Sequence, residues 1–455
     1  MEVCDKSTGK VLRKVKENTL SEALGMLKRA SEASSTITAL SRETIAEALI
    51  ATGNAILNGV ATLSKSISSE TGLAMKSSRE DASLVAMEFR YAAHQLFASI
   101  AEKSTIPSDQ FDSSIMTFSS RSPLGVILIL PSEREHLSHT ARIIANAVSA
   151  GNGVICIPPA HSPGPLEELK ALMENTGLPK DIFQVLAAYT DSRIPKEILK
   201  SGAIGETVLV GLGAWHTSLR KEMAGMKTLA AGQTSSPVII WDDADLDTAA
   251  EHVAASAFTG YGGSCSAARK VILRENSYEY FRNRLIELAS QIIVGEAGAE
   301  ETDLGPLPDE SYAAEAAMQL EEAVNAGASI TYGGNISGKF FPPTIVEYLP
   351  PGSPLLAGNA RVPLICLELV SSMEAAINAA NSFEDRVQVS VFTSDIDLAT
   401  SAAQKLEFSS VLINEAPGPY SGFWHRFYEN RGTQPEKIVS LREEFSRTKI
   451  VKLKK

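Results

Sequence analysis

The sequence predicts an α/β protein made of two parallel-sheet α/β domains, and three observations carry that prediction. Short, continuously apolar runs recur along the chain, the clearest being 125–130 (GVILIL), closed by Pro131. Runs of this kind mark strands buried on both faces of a sheet. Between them lie segments with apolar residues at helical spacing, and repeated strand–helix–strand units build a parallel sheet covered by helices. Finally, 455 residues are too many for one small domain and enough for two or three with sizeable cores.

Taken in order, residues 19–103 are rich in Ala, Ser and Glu, with Leu20, Ala23, Leu27 and Ala30 on one face, and Ile45, Leu49 and Ile56 on another. This predicts a helical N-terminal block. Alternation starts at Gly125: strand 125–130, a helix ending at Gly151, strand 153–157, a helix over 166–174, then strands 182–186 and 206–210. A second series follows Lys227, with strand 238–240, helix 248–258, strand 270–273, helices 278–292 and 312–326, strand 329–332, helix 373–380 and strand 387–392. The acidic stretch 242–247 (DDADLD) suits the positive end of the helix it precedes.

Hydrophobic residues at 44% and charged residues at 21% describe an ordinary globular chain. A net charge of −12 argues against nucleic acid or an anionic membrane as partner, because both demand a basic surface. Lys452, Lys454 and Lys455 read as a solvated tail. The opening MEVCDKSTGKVL lacks the apolar core of a secretory signal, and no apolar stretch reaches the roughly 18 residues of a membrane span. Cys4, Cys156, Cys265 and Cys366 show no CxxC spacing, so neither a metal site nor a disulfide framework is expected. The expected location is cytoplasmic.

Several short motifs stand in a telling order: Ser7-Thr8-Gly9-Lys10-Val11, Glu70-Thr71-Gly72, Ser122-Pro123-Leu124-Gly125-Val126 and Ala150-Gly151-Asn152. Asp242–Asp247 is followed about twenty residues later by Cys265. Then come Leu304-Gly305-Pro306-Leu307, Ala326-Gly327-Ala328, Gly333-Gly334, Phe341-Pro342-Pro343-Thr344, Glu374-Ala375-Ala376 with Asn381, and Val391-Phe392-Thr393-Ser394-Asp395. Over nearly its whole length the chain resembles the aldehyde dehydrogenase superfamily, as a divergent member with some likeness to the coenzyme-A-acylating branch. The resemblance implies a dinucleotide-binding domain with its helical block (1–113 and 122–228), a catalytic domain (229–428), and a small β-ribbon for oligomerisation (114–121 and 429–455). It implies a homo-dimer or homo-tetramer, an aldehyde substrate, and NAD or NADP as cofactor.

In this family a cysteine thiolate attacks the aldehyde and hydride leaves to NAD(P); water, or coenzyme A in the acylating branch, then releases the thioester. A thiol suits the task because its thiolate is strongly nucleophilic near neutral pH and leaves readily. Cys265, in Gly262-Gly263-Ser264-Cys265-Ser266, stands where the family places the nucleophile; the bland alternative is a buried structural cysteine. Where the family carries a water-activating glutamate and paired glycines, this chain reads Leu229-Ala230-Ala231-Gly232. That favours the acylating branch, which needs no such base.

The expected cofactor-facing positions are Pro158, Gly211, Gly213, Gly232 and Asn359. At three of the usual cofactor contacts the chain departs from the family. The usual ribose-binding lysine is Ile157, which removes a charged donor worth about 1.5–3 kcal/mol. The Gly-Ser pair that receives the pyrophosphate is Gly211-Leu212-Gly213, whose glycines still permit close backbone approach or form a simple turn. The nicotinamide-ribose glutamate becomes Asn359. At the oxyanion position stands Glu133, which would repel a developing oxyanion if ionised and could donate only if protonated; alternatively it points to solvent with Arg134 and Glu135. His136 and His139 read as exposed loop histidines, and Tyr420, Phe423, Trp424 and His425 as either a substrate mouth or packing aromatics. The first functional reading is an aldehyde-oxidising enzyme using Cys265. The alternative, resting on the losses at Ile157, Leu212, Glu133 and the base position, is a catalytically silent homologue with a structural or regulatory role.

Overall fold

A computed structural model describes residues 1–98, 105–106, 115–133, 135–189, 192–211, 219, 223, 228–231, 236–260, 267–350, 352–356, 362–383, 386–417 and 441–454. The chain starts with an antiparallel hairpin, β1 (Glu2–Cys4) on β2 (Val11–Lys14). Val3 is fully buried and the Met1 ammonium donates to the Val15 carbonyl at 2.8 Å. Cys4 is thus half-buried in a strand. The helical block resolves into α1 (Leu20–Thr38), α2 (Arg42–Asn58), α3 (Val60–Thr71) and α4 (Met75–Ala98). Thr19 and Glu22 start α1 with a capping box. At Gly59 the chain bends by 69° between α2 and α3, and a Cβ there would meet Leu172 at 2.6 Å.

The first domain's sheet contains β5 (Val126–Pro131), β6 (Gly153–Cys156), β7 (Phe183–Val185), β8 (Ile204–Val210) and β9 (Thr228–Ala231), preceded in the chain by β3 (Thr105–Ile106) and β4 (Ile115–Pro123). All its pairings are parallel, in the order β7-β6-β5-β8-β9. The connecting helices are α5 (Leu137–Ser149), α6 (Gly164–Met173) and α7 (Arg193–Lys200). Every residue of β5 is buried, as a strand covered on both faces requires. The order reverses at β5, so the crevice beyond the C-terminal ends of β5 and β8 is the place where open α/β sheets bind ligands.

The second domain contains β10 (Ser236–Ile240), α8 (Leu246–Phe258), β11 (Ala268–Leu273), α9 (Glu275–Ser290), α10 (Glu310–Asn325), β12 (Ser329–Tyr332), β13 (Thr344–Glu347), β14 (Leu364–Leu369), α11 (Met373–Asn381), β15 (Gln388–Phe392), α12 (Ile396–Lys405) and β16 (Ser410–Ile413). Its seven strands run β12-β13-β14-β11-β10-β15-β16, with only β12 antiparallel to its neighbour. Asp245 caps α8 through the Thr248 N–H, the role its acidic stretch suggested. Two motifs far apart in sequence meet here. Gly72 has φ +84, and a Cβ on Gly305 would lie 2.0 Å from the Gly72 carbonyl oxygen.

After the short helix α13 (Leu441–Glu444), β17 (Ser446–Lys454) pairs antiparallel with the whole of β4, giving a ribbon in the order β17-β4-β3. Lys452 and Lys454 therefore belong to a strand rather than a solvated tail; Lys452 simply faces outward from it. Asn152 ties ribbon to sheet: its amide donates to the Phe445 carbonyl at 2.9 Å, and its oxygen accepts from the Leu124 and Gly125 N–H groups. Phe445 is fully buried.

Candidate active site

At the strand-order reversal, β5 ends at Pro131 and is followed by Ser132, and β8 ends at Val210 and is followed by Gly211. Gly211 is buried with φ +75, and a Cβ there would fall 2.2 Å from Ser132 Oγ and 2.9 Å from Glu135 Cγ. Only glycine lets the end of β8 lie this close to the end of β5. Ser132 Oγ is buried and has no hydrogen-bond partner among the described residues. Such a group usually has a ligand or water to satisfy it. The nearby carboxylate of Glu135 is matched by His139 Nδ1 at 2.8 Å. Beyond β6, Pro158 is buried, while Ile157 is fully buried among apolar side chains that include Leu128, Leu130 and Leu186. The crevice thus offers a hydroxyl and a closely approaching glycine backbone, and no charged donor at Ile157.

The histidines after β5 are not exposed, contrary to the sequence reading. His139 Nδ1 lies 2.8 Å from a Glu135 carboxylate oxygen, with the two side chains 9% and 2% exposed, and the His136 ring packs edge-on to that of His139 at 5.7 Å. Burial follows from α4, which carries buried carboxylates at Asp81 and Glu88, two helical turns apart on the face that meets α5. Asp81 accepts from the Leu137 and Ser138 N–H groups at 2.8 and 3.1 Å, closing the N-terminus of α5 with a negative charge. His136 Nδ1 lies 3.7 Å from Asp81, and Arg142 pairs with Glu88 one turn of α5 further on. Burial pushes the Asp81 carboxyl upward, but His136 and the Ser138 donors outweigh it and hold the group below its usual range.

Two cavities share Asp81 and His136. The smaller, about 40 Å³, is lined by Ser132, Glu133, Glu135, Pro159 and Ser162. Glu133 is half-buried there, rather than pointing to solvent, and its charge counters the burial that pushes the Lys6 ammonium down. The larger, about 390 Å³, lies between α4, α8 and the segment after β16, with Ser77, Glu80, His252, Ser256, Gly260, Ala267 and Glu415 on its walls. Its size suits a small ligand. A Cβ on Gly260 would sit 3.1 Å from His136 Nε2. Cys265, Gly213, Gly232, Asn359 and the 420–425 aromatics lie outside the described residues, but Gly260 and Ala267, on either side of the cysteine segment, both line the larger cavity. Sequence reasoning missed Ser77, Glu80 and Asp81. Their one available signal was their i, i+3, i+4 spacing on one face of α4, which the neighbouring polar residues Lys76, Ser78 and Arg79 obscure.

A parallel sheet reversing at its first strand, a second, largely parallel sheet and a cavity between them define a two-domain α/β protein. More specifically, this chain belongs to the aldehyde dehydrogenase family, whose model matches residues 1–449. It is 24% identical over 458 residues to aspartate-semialdehyde dehydrogenase 1 of Pseudomonas canavaninivorans, covering 97% of this chain and 96% of that one. Lactaldehyde dehydrogenase of Methanococcus vannielii is 26% identical over 395 residues, or 85% of this chain and 82% of its own length. Among solved structures, glyceraldehyde-3-phosphate dehydrogenase from Methanocaldococcus jannaschii complexed with NADP superposes with a TM-score of 0.88, at 23% identity, covering 100% of this chain and 99% of that one. Lactaldehyde dehydrogenase from Escherichia coli gives 0.91 at 21% identity, covering 100% and 96%. The two-domain parallel α/β fold read from the sequence is the fold observed.

Proposed function

We propose that this chain oxidises a small aldehyde with NAD or NADP, through a thioester on Cys265. The observation that carries the reading is the larger cavity, which opens between Gly260 and Ala267 at both ends of the cysteine segment. Gly211 and the partnerless hydroxyl of Ser132 fit the phosphates of a dinucleotide, and the family resemblance gives Asn359 the nicotinamide ribose. The bound cofactor supplies the hydride acceptor. The chain's own part is to hold the aldehyde carbonyl against the Cys265 thiolate and to keep bulk water out of the cavity. Glu80, Asp81 and Glu415 give that cavity an acidic wall, so neutral hydroxylated aldehydes suit it better than acidic ones. The curated relatives named for lactaldehyde and glyceraldehyde act on aldehydes of that size.

Titration calorimetry with NAD, NADP and their reduced forms tests the cofactor half, and micromolar binding of one of them is expected. Binding of none would favour the silent homologue. A coupled assay with glycolaldehyde, lactaldehyde and succinic semialdehyde should show reduced cofactor with the first two in preference to the third. Acyl transfer to coenzyme A is a second reading, supported by Ala230-Ala231 at the base position. Acid formation at full rate without coenzyme A would reject it.

We further propose a homo-dimer or homo-tetramer built on the ribbon. β17 is the edge strand, its backbone groups on the outer side need partners, and Ile450 and Leu453 are 58% and 51% exposed. Truncation after Glu444 also strips β4 of its longest pairing. Light scattering should then report monomer or aggregate; an unchanged oligomer would dispose of the ribbon as the interface.

A further inference from the structure

The larger cavity has walls from two domains, so its width depends on what holds α4 opposite α8. α4 lends it Ser77, Glu80 and Asp81; α8 lends it His252, Ala255 and Thr259. α8 is tied in turn to α9: their apolar faces share one core, and Arg284 of α9 meets Asp247 and Glu251 of α8 at 3.1 Å each. The loop that follows α9, residues 293–304, closes on itself. The Ile293 carbonyl accepts from the Asp303 and Leu304 N–H groups at 2.9 and 3.1 Å, and the Gly295 N–H donates to the Leu304 carbonyl at 3.0 Å. The Asp303 carboxylate takes the Ile293 N–H at 3.0 Å. A loop whose backbone groups are satisfied internally resists local opening.

This loop grips the first turn of α4 on the helix face next to the one that lines the cavity. The Met75 N–H, which has no acceptor within its own helix, donates to the Ala297 carbonyl at 2.8 Å. The Ala297 N–H in turn donates to Ser7 Oγ at 2.8 Å. Lys76 Nζ donates to the Asp303 carboxylate at 2.7 Å and to the Glu301 carbonyl at 3.1 Å. One turn on, Arg79 Nη1 and Nη2 meet the two Glu300 carboxylate oxygens at 2.7 and 2.5 Å. Such two-pronged pairing fixes direction as well as distance. We propose that Lys76 and Arg79 are positioning residues that, through the 300–303 turn, set the width of the larger cavity and with it the size of aldehyde admitted. The proposal rests on the reading of that cavity as the aldehyde site. With both side-chain ties cut, the first turn of α4 keeps its Met75–Ala297 bond but is free to tilt, and the cavity widens on that side.

Combining Lys76→Ala with Arg79→Ala tests this on two aldehydes of different size, lactaldehyde and benzaldehyde. For lactaldehyde, KM should rise while kcat stays within about twofold. The ratio of kcat/KM for benzaldehyde to that for lactaldehyde should rise about threefold to tenfold, the scale of two exposed ion pairs. A general loss of stability would lower both aldehydes alike, so equal losses overturn the proposal, as does an unchanged ratio. Glu300→Arg alone should shift the ratio the same way, and adding Arg79→Glu should bring it back. A swapped pair that stays at the single-variant ratio overturns the pairing. If the α4 variants fail to fold, Glu300→Gln removes the Arg79 tie from the loop side and the ratio decides again. Hydrogen exchange reads the clamp without any substrate: amides of residues 79–84 should exchange about threefold to tenfold faster in the double alanine variant. Unchanged exchange overturns the clamp. Wild-type protein that oxidises neither aldehyde, with faster exchange in the variant, sinks the aldehyde-site reading and leaves the clamp standing.

Discussion

Cys265→Ala is expected to abolish aldehyde-dependent cofactor reduction, with a loss of at least about 10³-fold in kcat/KM, because loss of a covalent nucleophile removes the whole acyl-transfer path. No other cysteine can take over. Cys156 and Cys366 are fully buried in β6 and β14, where burial pushes the first thiol far up and the second to about 12. Cys4 is held half-buried in the N-terminal hairpin. Brief iodoacetamide treatment at mildly acidic pH should therefore label Cys265 first, since a working nucleophile ionises below the free-thiol value of about 8.5. Replacing Cys156 or Cys366 with alanine should leave kcat near wild type. Retention of more than a tenth of the activity by Cys265→Ala, or labelling of Cys4 ahead of Cys265, would move the chain to the silent-homologue reading.

A large loss of stability is expected at the start of β6. A Cβ on Gly153 would lie 2.1 Å from the carbonyl oxygen and 2.7 Å from the carbonyl carbon of Ala30, inside α1. Both are backbone atoms, so no side-chain rotation relieves the clash and helix and strand must separate. Overpacking commonly costs about 1–3 kcal/mol, and a clash between two backbones belongs at the top of that range. Gly153→Ala should lower the first thermal transition by about 6–12 °C, taking about 2–4 °C per kcal/mol. Gly25→Ala is the control, because its nearest neighbour would be Arg29 Nη1 at 3.5 Å, which a flexible side chain can vacate. Equal melting of the two variants would show that α1 packs loosely on the sheet.

Buried strands and amphipathic helices were legible because each writes its own period into the sequence. β5, β6, β8, β10 and β15 fall on the apolar runs, and α8 starts at its acidic stretch. The pattern missed β13, β14 and β16, each of only four to six residues. Alternation over so few positions is hard to tell from a loop. It also missed α7, whose Pro195 reads as a helix breaker although Pro is tolerated in a first turn. The position of Cys265 in the motif order was legible too, since a local string of small residues around a thiol needs no knowledge of neighbours.

What the sequence by itself determined, then, is the fold class, the succession of elements and the candidate nucleophile, all set by local periodicity and short motifs. The tertiary structure alone decided the surroundings. It put Gly72 against Gly305, tied Asn152 to Phe445, and brought Asp81 of α4 onto the first turn of α5 so that His136 and His139 are held beside carboxylates instead of in solvent. The physical reason is that a side chain's charge state and orientation depend on what packs around it. Asp81 and His136 are 55 residues apart in sequence, and no periodicity within either segment records that they meet.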